Sequence, residues 1–138
     1  MVKKILASIF VLITLLSCSL NDDDVNSNLT LKTLPIKEAI VPESFDFGQR
    51  HQITVFFDLP DECHSFYNLF YKHEGTSRIV AVNSLVNNTA SCTLAIIEKE
   101  FTFTVEATQQ EDYTFKFWKG TDSNGDDIFE EVIVPVIL

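Results

Sequence analysis

The chain has 138 residues and a mass of 15.7 kDa, room for one ordinary domain with its own core and too little for two. Hydrophobic residues make up 46% of it and glycine and proline number four each, which excludes collagen-like and compositionally disordered classes. A formal net charge of −10 repels phosphate backbones and anionic lipid surfaces, so no nucleic acid is expected as a partner.

The first element is a leader. Lys3 and Lys4 give a short positive start, Ile5 to Leu16 form an apolar run broken only by Ser8 and Thr14, and small Ser17 precedes Cys18. That order is the anatomy of a secretory signal peptide over residues 1–17. The run falls short of the roughly 20 apolar residues that cross a bilayer. Leu15-Leu16-Ser17-Cys18 resembles the lipobox of bacterial lipoproteins, with a leucine three positions before the cysteine and a small residue just before it. The resemblance implies cleavage after Ser17, lipidation of Cys18 and a membrane partner held through that anchor. Each buried methylene contributes roughly 0.8 kcal/mol, and two or more long chains make such anchoring stable.

An acidic run follows. Asp22, Asp23 and Asp24 in CSLNDDD resemble the export signal that sends lipoproteins of the Bacteroidota phylum to the outer face of the outer membrane. The implied address is a lipid-anchored outer-membrane protein at the cell surface. The alternative reading is a solvated spacer on a protein that faces the periplasm, since like charges keep a tether extended. Loss of residues 1–17 removes two lysines and no acids, which leaves 8 basic against 20 acidic side chains and a balance of −12. Residues 18–33 are polar, without sustained periodicity, and are read as a flexible tether.

From Leu34 to Leu138 the period is two. Ile53, Val55, Phe57 and Leu59 alternate with Thr54, Phe56 and Asp58, and Phe101, Phe103 and Val105 alternate with Thr102, Thr104 and Glu106. Such alternation marks half-buried strands. Strands are predicted near residues 35–41, 45–47, 52–59, 65–72, 77–83, 92–97, 100–107, 112–118 and 128–136. Seven to nine short strands separated by turn signals such as Pro60-Asp61, Glu74-Gly75 and Asn124-Gly125 predict an all-β, two-sheet sandwich over residues 34–138. Greek-key connection is the default topology. QEDYTFKFWKG followed by IFEEVIVPV resembles the last two strands of immunoglobulin-like domains, with Tyr113 at the place of the corner tyrosine. The glycine often found before that tyrosine is missing.

Cys63 and Cys92 remain once Cys18 is assigned to lipid, and export would place the pair in an oxidising compartment. A disulfide is expected, stapling a loop because Cys63 lies in a turn. Free thiols, or a metal pair helped by His64, are the alternatives. Zinc wants four ligands at recognisable spacing, and His51, His64 and His73 supply none, so no metal and no cofactor is expected.

Other constellations have plain explanations. Asp122 to Asp127 alternates oxygen-bearing residues like a calcium loop, but its glycine is at the fourth position and Ile133 stands where the twelfth-position glutamate belongs. A hairpin tip built on Asn124-Gly125 is the expectation. Asn28-Leu29-Thr30 and Asn87-Asn88-Thr89 match the glycosylation acceptor pattern by accident. Catalytic signatures are missing, and Asp61/Glu62 and Glu130/Glu131 point to opposite faces of a strand, so no enzyme is expected. Binding is the better reading because aromatics are in excess. With Phe115 and Phe117 inward, Trp118 points out; Phe56, and Phe66 together with Phe70, are assigned to outer faces by the same alternation. Trp118, Phe56, Phe66 and Phe70 are therefore the candidate contacts for an envelope protein or a polysaccharide. An accessory subunit of an envelope complex is the alternative, and a small hydrolase the remotest.

Overall fold

Ten strands and no helix form in residues 28–138, the part of the chain that the computed structural model describes. The signal peptide, Cys18, the acidic run and the tether up to residue 27 lie outside the described residues. The strands are β1 (Leu29–Leu34), β2 (Ile36–Ile40), β3 (Phe45–Asp46), β4 (Arg50–Leu59), β5 (His64–Glu74), β6 (Ser77–Asn87), β7 (Ile97–Glu106), β8 (Tyr113–Thr121), β9 (Asp127–Val134) and β10 (Val136–Ile137).

In the larger sheet, β5 lies antiparallel along β6, while β1 and β8 share the other edge of β6 end to end. β1 is antiparallel to residues 82–87, β8 is parallel to residues 77–80, and β9 closes the sheet against β8. The smaller sheet is β2-β4-β7, antiparallel throughout. Inward side chains of the two sheets meet in one core: Val80, Val82, Tyr113, Phe115 and Phe117 from the larger, Ile53, Val55, Phe57 and Val105 from the smaller. This is an all-β sandwich, as the alternation predicts. β3 and β10 form a short parallel clip that seats Phe45 among Tyr113, Phe115 and His51.

Tyr113 holds a corner. Its hydroxyl accepts the N–H groups of Thr108 (3.1 Å) and Gln109 (3.3 Å) and lies 3.4 Å from the Glu106 carbonyl. A phenol that opens a strand and bonds back to the backbone upstream is the tyrosine-corner arrangement. The parallel β6/β8 pair, by contrast, is foreign to the antiparallel sheets of immunoglobulin-like domains.

Several boundaries differ from the sequence reading, and β6 runs on to Asn87 where a strand over 77–83 is predicted. The first strand of the described residues starts at Leu29, inside the segment read as tether, and β1 is held by its ladder to β6 with only Leu34 buried in the core. Leu29 and Leu31 alternate with Thr30 and Lys32, but the run is short and these two leucines do not enter the core, with Leu31 exposed. The strand predicted at 92–97 is absent apart from Ile97; residues 91–96 run irregularly with Leu94 86% exposed, and a single β7 replaces the two predicted runs. The last predicted strand divides at Pro135, which has no N–H for a ladder. At residues 122–127 the hairpin tip forms: Asp122 Oδ1 accepts the N–H groups of Asn124 (2.8 Å) and Asp126 (3.0 Å), and Gly125 takes φ 81°.

Candidate functional site

Strand alternation builds a groove on the outer face of the larger sheet. Phe115 and Phe117 are buried in the core, which turns Lys116 and Trp118 outward. On β6, Val80 and Val82 point in, so Ile79, Ala81 and Asn83 point out. Cross-strand register then brings Phe129 opposite Trp118, Phe70 opposite Ala81 and Lys72 opposite Ile79. The result is a cleft of about 350 Å³ walled by Trp118, Phe129, Phe70 and Ile79, with Thr33, Asn83, Lys72 and Asp127 as its polar members.

Its parts are fixed in place. Trp118 Nε1–H donates to Asp127 Oδ1 at 2.9 Å, which orients the indole. Asn83 Nδ2 donates to Asn68 Oδ1 at 3.0 Å, and Thr33 Oγ1 donates to Asn83 Oδ1 at 3.2 Å. Just past Trp118 a register shift sets Lys119 apart, and its ammonium donates to the carbonyls of Ile36 (2.9 Å) and Lys37 (2.7 Å) and pairs with Glu130 at 3.0 Å. The bulge thus locks β8 to the neighbouring sheet directly behind the groove.

The other candidate aromatics have different surroundings. Phe66 faces the core, contrary to its assignment with Phe70: it packs against Phe57 and Phe101, with ring centroids 5.7 and 4.8 Å away. The reason is a bulge at Tyr67, where the β5/β6 register shifts between Phe66 and Asn68. One extra residue reverses the facing of everything before it, so Phe66 joins Leu69 and Tyr71 inside while Phe70 stays out.

Phe56 does lie on the outer face of the smaller sheet, half-buried in a depression of about 210 Å³ with Lys37, Glu38, Asp58, Glu98 and Lys99. Lys37 Nζ stands 3.1 Å from Asp58 and 3.4 Å from Glu98. The hydrogen bond to Asp58 leads in raising the Lys37 pKa above its ordinary 10.5, with the charges of Asp58 and Glu98 adding to it. Phe56 therefore shares its depression with an ion-pair cluster.

Cys63 and Cys92 form a disulfide with Cα atoms 5.5 Å apart, clipping the β6–β7 connection to the turn before β5. Beside it, Asp61 Oδ1 accepts Cys63 N–H at 2.9 Å and meets His64 Nδ1 at 2.7 Å. The hydrogen bond from His64 is the main cause holding the Asp61 carboxyl below its ordinary 3.8. Asp61, Cys63 and Cys92 are the one clustered trio of possible metal ligands among the described residues, and its two sulfurs are bonded to each other.

Sequence reasoning picked out Trp118 and Phe70 but missed Phe129, Ile79 and Asp127. Each stands in an alternating run, yet only the strand pairing says that they face Trp118. Chemically the groove offers aromatic faces, an aliphatic floor and amide, hydroxyl and carboxylate groups at its rim, a set suited to reversible binding. In comparisons with known proteins, the chain matches no family model, no curated protein and no solved structure.

Proposed function

We propose that this chain is a lipid-anchored outer-membrane lipoprotein, displayed at the cell surface, whose sandwich is a non-catalytic binding module for a polysaccharide. The observation that carries the binding half is the Trp118 groove. Three aromatic side chains line a shallow open cleft, and uncharged Asn83 and Thr33 stand beside charged Asp127 and Lys72. Sugar rings present apolar C–H faces to aromatic rings and hydroxyls to such polar groups, and an open groove admits a chain without enclosing its ends. The anchor half rests on Leu15-Leu16-Ser17-Cys18 and on the acidic run after it.

A glycan array set beside a pulldown from envelope extracts tests the binding half. Glycan signals that disappear in Trp118→Ala support it, and a bound glycan indifferent to Trp118→Ala ends it. Metabolic labelling with a fatty acid in wild-type and Cys18→Ala cells, followed by protease treatment of intact cells, tests the anchor. The label is lost only in the variant and the domain is digested from outside if the reading holds.

A second reading, an accessory subunit of an envelope complex, draws on the 91–96 segment, where Leu94 and Ile96 expose most of their apolar surface. The hydrolase reading has little to draw on, because the cross-strand carboxylates Asp58 and Glu98 are both tied to Lys37.

A further inference from the structure

Arg78 is 5% exposed, and no carboxylate of the described residues lies within ion-pair distance of it. Buried guanidinium groups are ordinarily matched by an anion, because removing an unpaired charge from water is costly. Three of its five N–H groups are engaged: Nη1 donates to the carbonyls of Gly75 (3.1 Å) and Ser77 (2.9 Å), and Nη2 donates to Gln109 Oε1 at 2.8 Å. Its carbon lies 4.8 Å from the centre of the Tyr113 ring. Nε is buried without an acceptor.

This unmatched group lines a second cleft, of about 340 Å³, where the sandwich opens between β5 and β7. Both strands are sheet edges, since β5 pairs only with β6 and β7 only with β4. Leu69, Phe101 and Phe103 give the cleft apolar walls, and Tyr71 stands beside Arg78. Burial raises the Tyr71 phenol pKa, and the Arg78 charge and a hydrogen bond from Arg78 oppose that rise; a phenol oxygen that accepts from Arg78 still has its own O–H to donate. His73 and Glu106 are exposed residues at the cleft's lining, and Glu106 has Arg50 as its cross-strand neighbour.

We propose that the β5/β7 cleft binds a small carboxylic acid with an aromatic or branched apolar body, the carboxylate received by Arg78 and the Tyr71 hydroxyl. The carboxylate supplies the acceptor that Nε lacks and the charge that Arg78 lacks, and a guanidinium edge matches its two oxygens. The apolar body lies against Phe101, Phe103 and Leu69. This site is separate from the Trp118 groove, which lies on the outer face of the larger sheet, so either can fail without the other.

The test is an NMR titration of the purified full chain with 3-phenylpropionate, and in parallel with uncharged 3-phenylpropanamide. The acid is expected to give saturable shifts at the Arg78 Nε–H signal and at Tyr71 and Phe103, with the amide at least roughly tenfold weaker. Tyr71→Phe, which keeps the ring, weakens the acid several-fold and leaves the amide unchanged. Arg78→Met, which removes the charge, abolishes the difference between the two probes; should that variant not fold, the Nε–H signal of the wild type and Tyr71→Phe still decide. Equal binding of acid and amide, shifts confined to residues outside the cleft, or no saturable shift shows that Arg78 only ties the 75–77 turn to Gln109, and overturns the proposal.

Discussion

Both sheets carry aromatics on their outer faces, and the two faces treat them differently. On the smaller sheet Phe56 shares its depression with Lys37, Asp58 and Glu98, one cation paired with two anions from three adjacent strands. On the larger sheet Trp118, Phe129 and Phe70 keep a shared open groove, with Lys72 and Asp127 at its sides. An outward aromatic becomes a contact surface only where its cross-strand neighbours leave it uncovered, and neighbours are a property of register rather than of the residue itself. The alternating pattern says which way a side chain points; it is silent on what leans over it.

The sharpest way to break the contrast is to cross from one side of β8 to the other. Phe117→Ala removes a fully buried ring and is expected to cost about 3–5 kcal/mol in urea unfolding, whereas Trp118→Ala costs far less and removes glycan binding. If both changes destabilise equally, the indole is part of the packing and not a contact surface. Next in size is the disulfide, which closes a span of 29 residues. Cys63→Ser with Cys92→Ser is expected to lower stability by about 3–4 kcal/mol in the chain-entropy model, with the groove's ligand affinity unchanged, since the bond lies away from the groove.

The bulge at Tyr67 provides a finer comparison within one strand. Phe66→Ala should cost about 2–3 kcal/mol, while Phe70→Ala should stay within about 1 kcal/mol and weaken binding at the groove. Equal costs would mean that the two rings share a face after all. The smallest effect is in acid. Because the Asp61 carboxyl is held below 3.8 in the folded chain, its contribution is complete above that value and is lost as pH falls through the lower folded pKa. Asp61→Asn should flatten the acid limb of the stability profile below about pH 4, and an unchanged limb would show that the bond to His64 does not act on folding.

Much of the fold was legible along the chain. Ile53-Val55-Phe57-Leu59 and Phe115-Phe117 read as inward rows and are inward. Trp118 read as outward and lines a groove, and Tyr113 read as a corner residue and bonds to the 106–109 backbone. What failed to show has a common cause. β1 has no inward apolar row beyond Leu34 and is held by its ladder to β6, a partner that the local run does not name, and Phe66 was misassigned because an inserted residue is invisible until the partner strand is in place.

The sequence by itself determined the strand character and the alternating faces. These follow from the pleat, whose period of two is written into consecutive residues. Only the tertiary structure decided that Phe129 and Phe70 join Trp118, that paired charges share the depression of Phe56, and that Arg78 lies buried without a carboxylate at the open edge between the sheets. Each of these depends on which strands lie side by side and in what register, a long-range choice set by how the whole core packs rather than by any local run of residues.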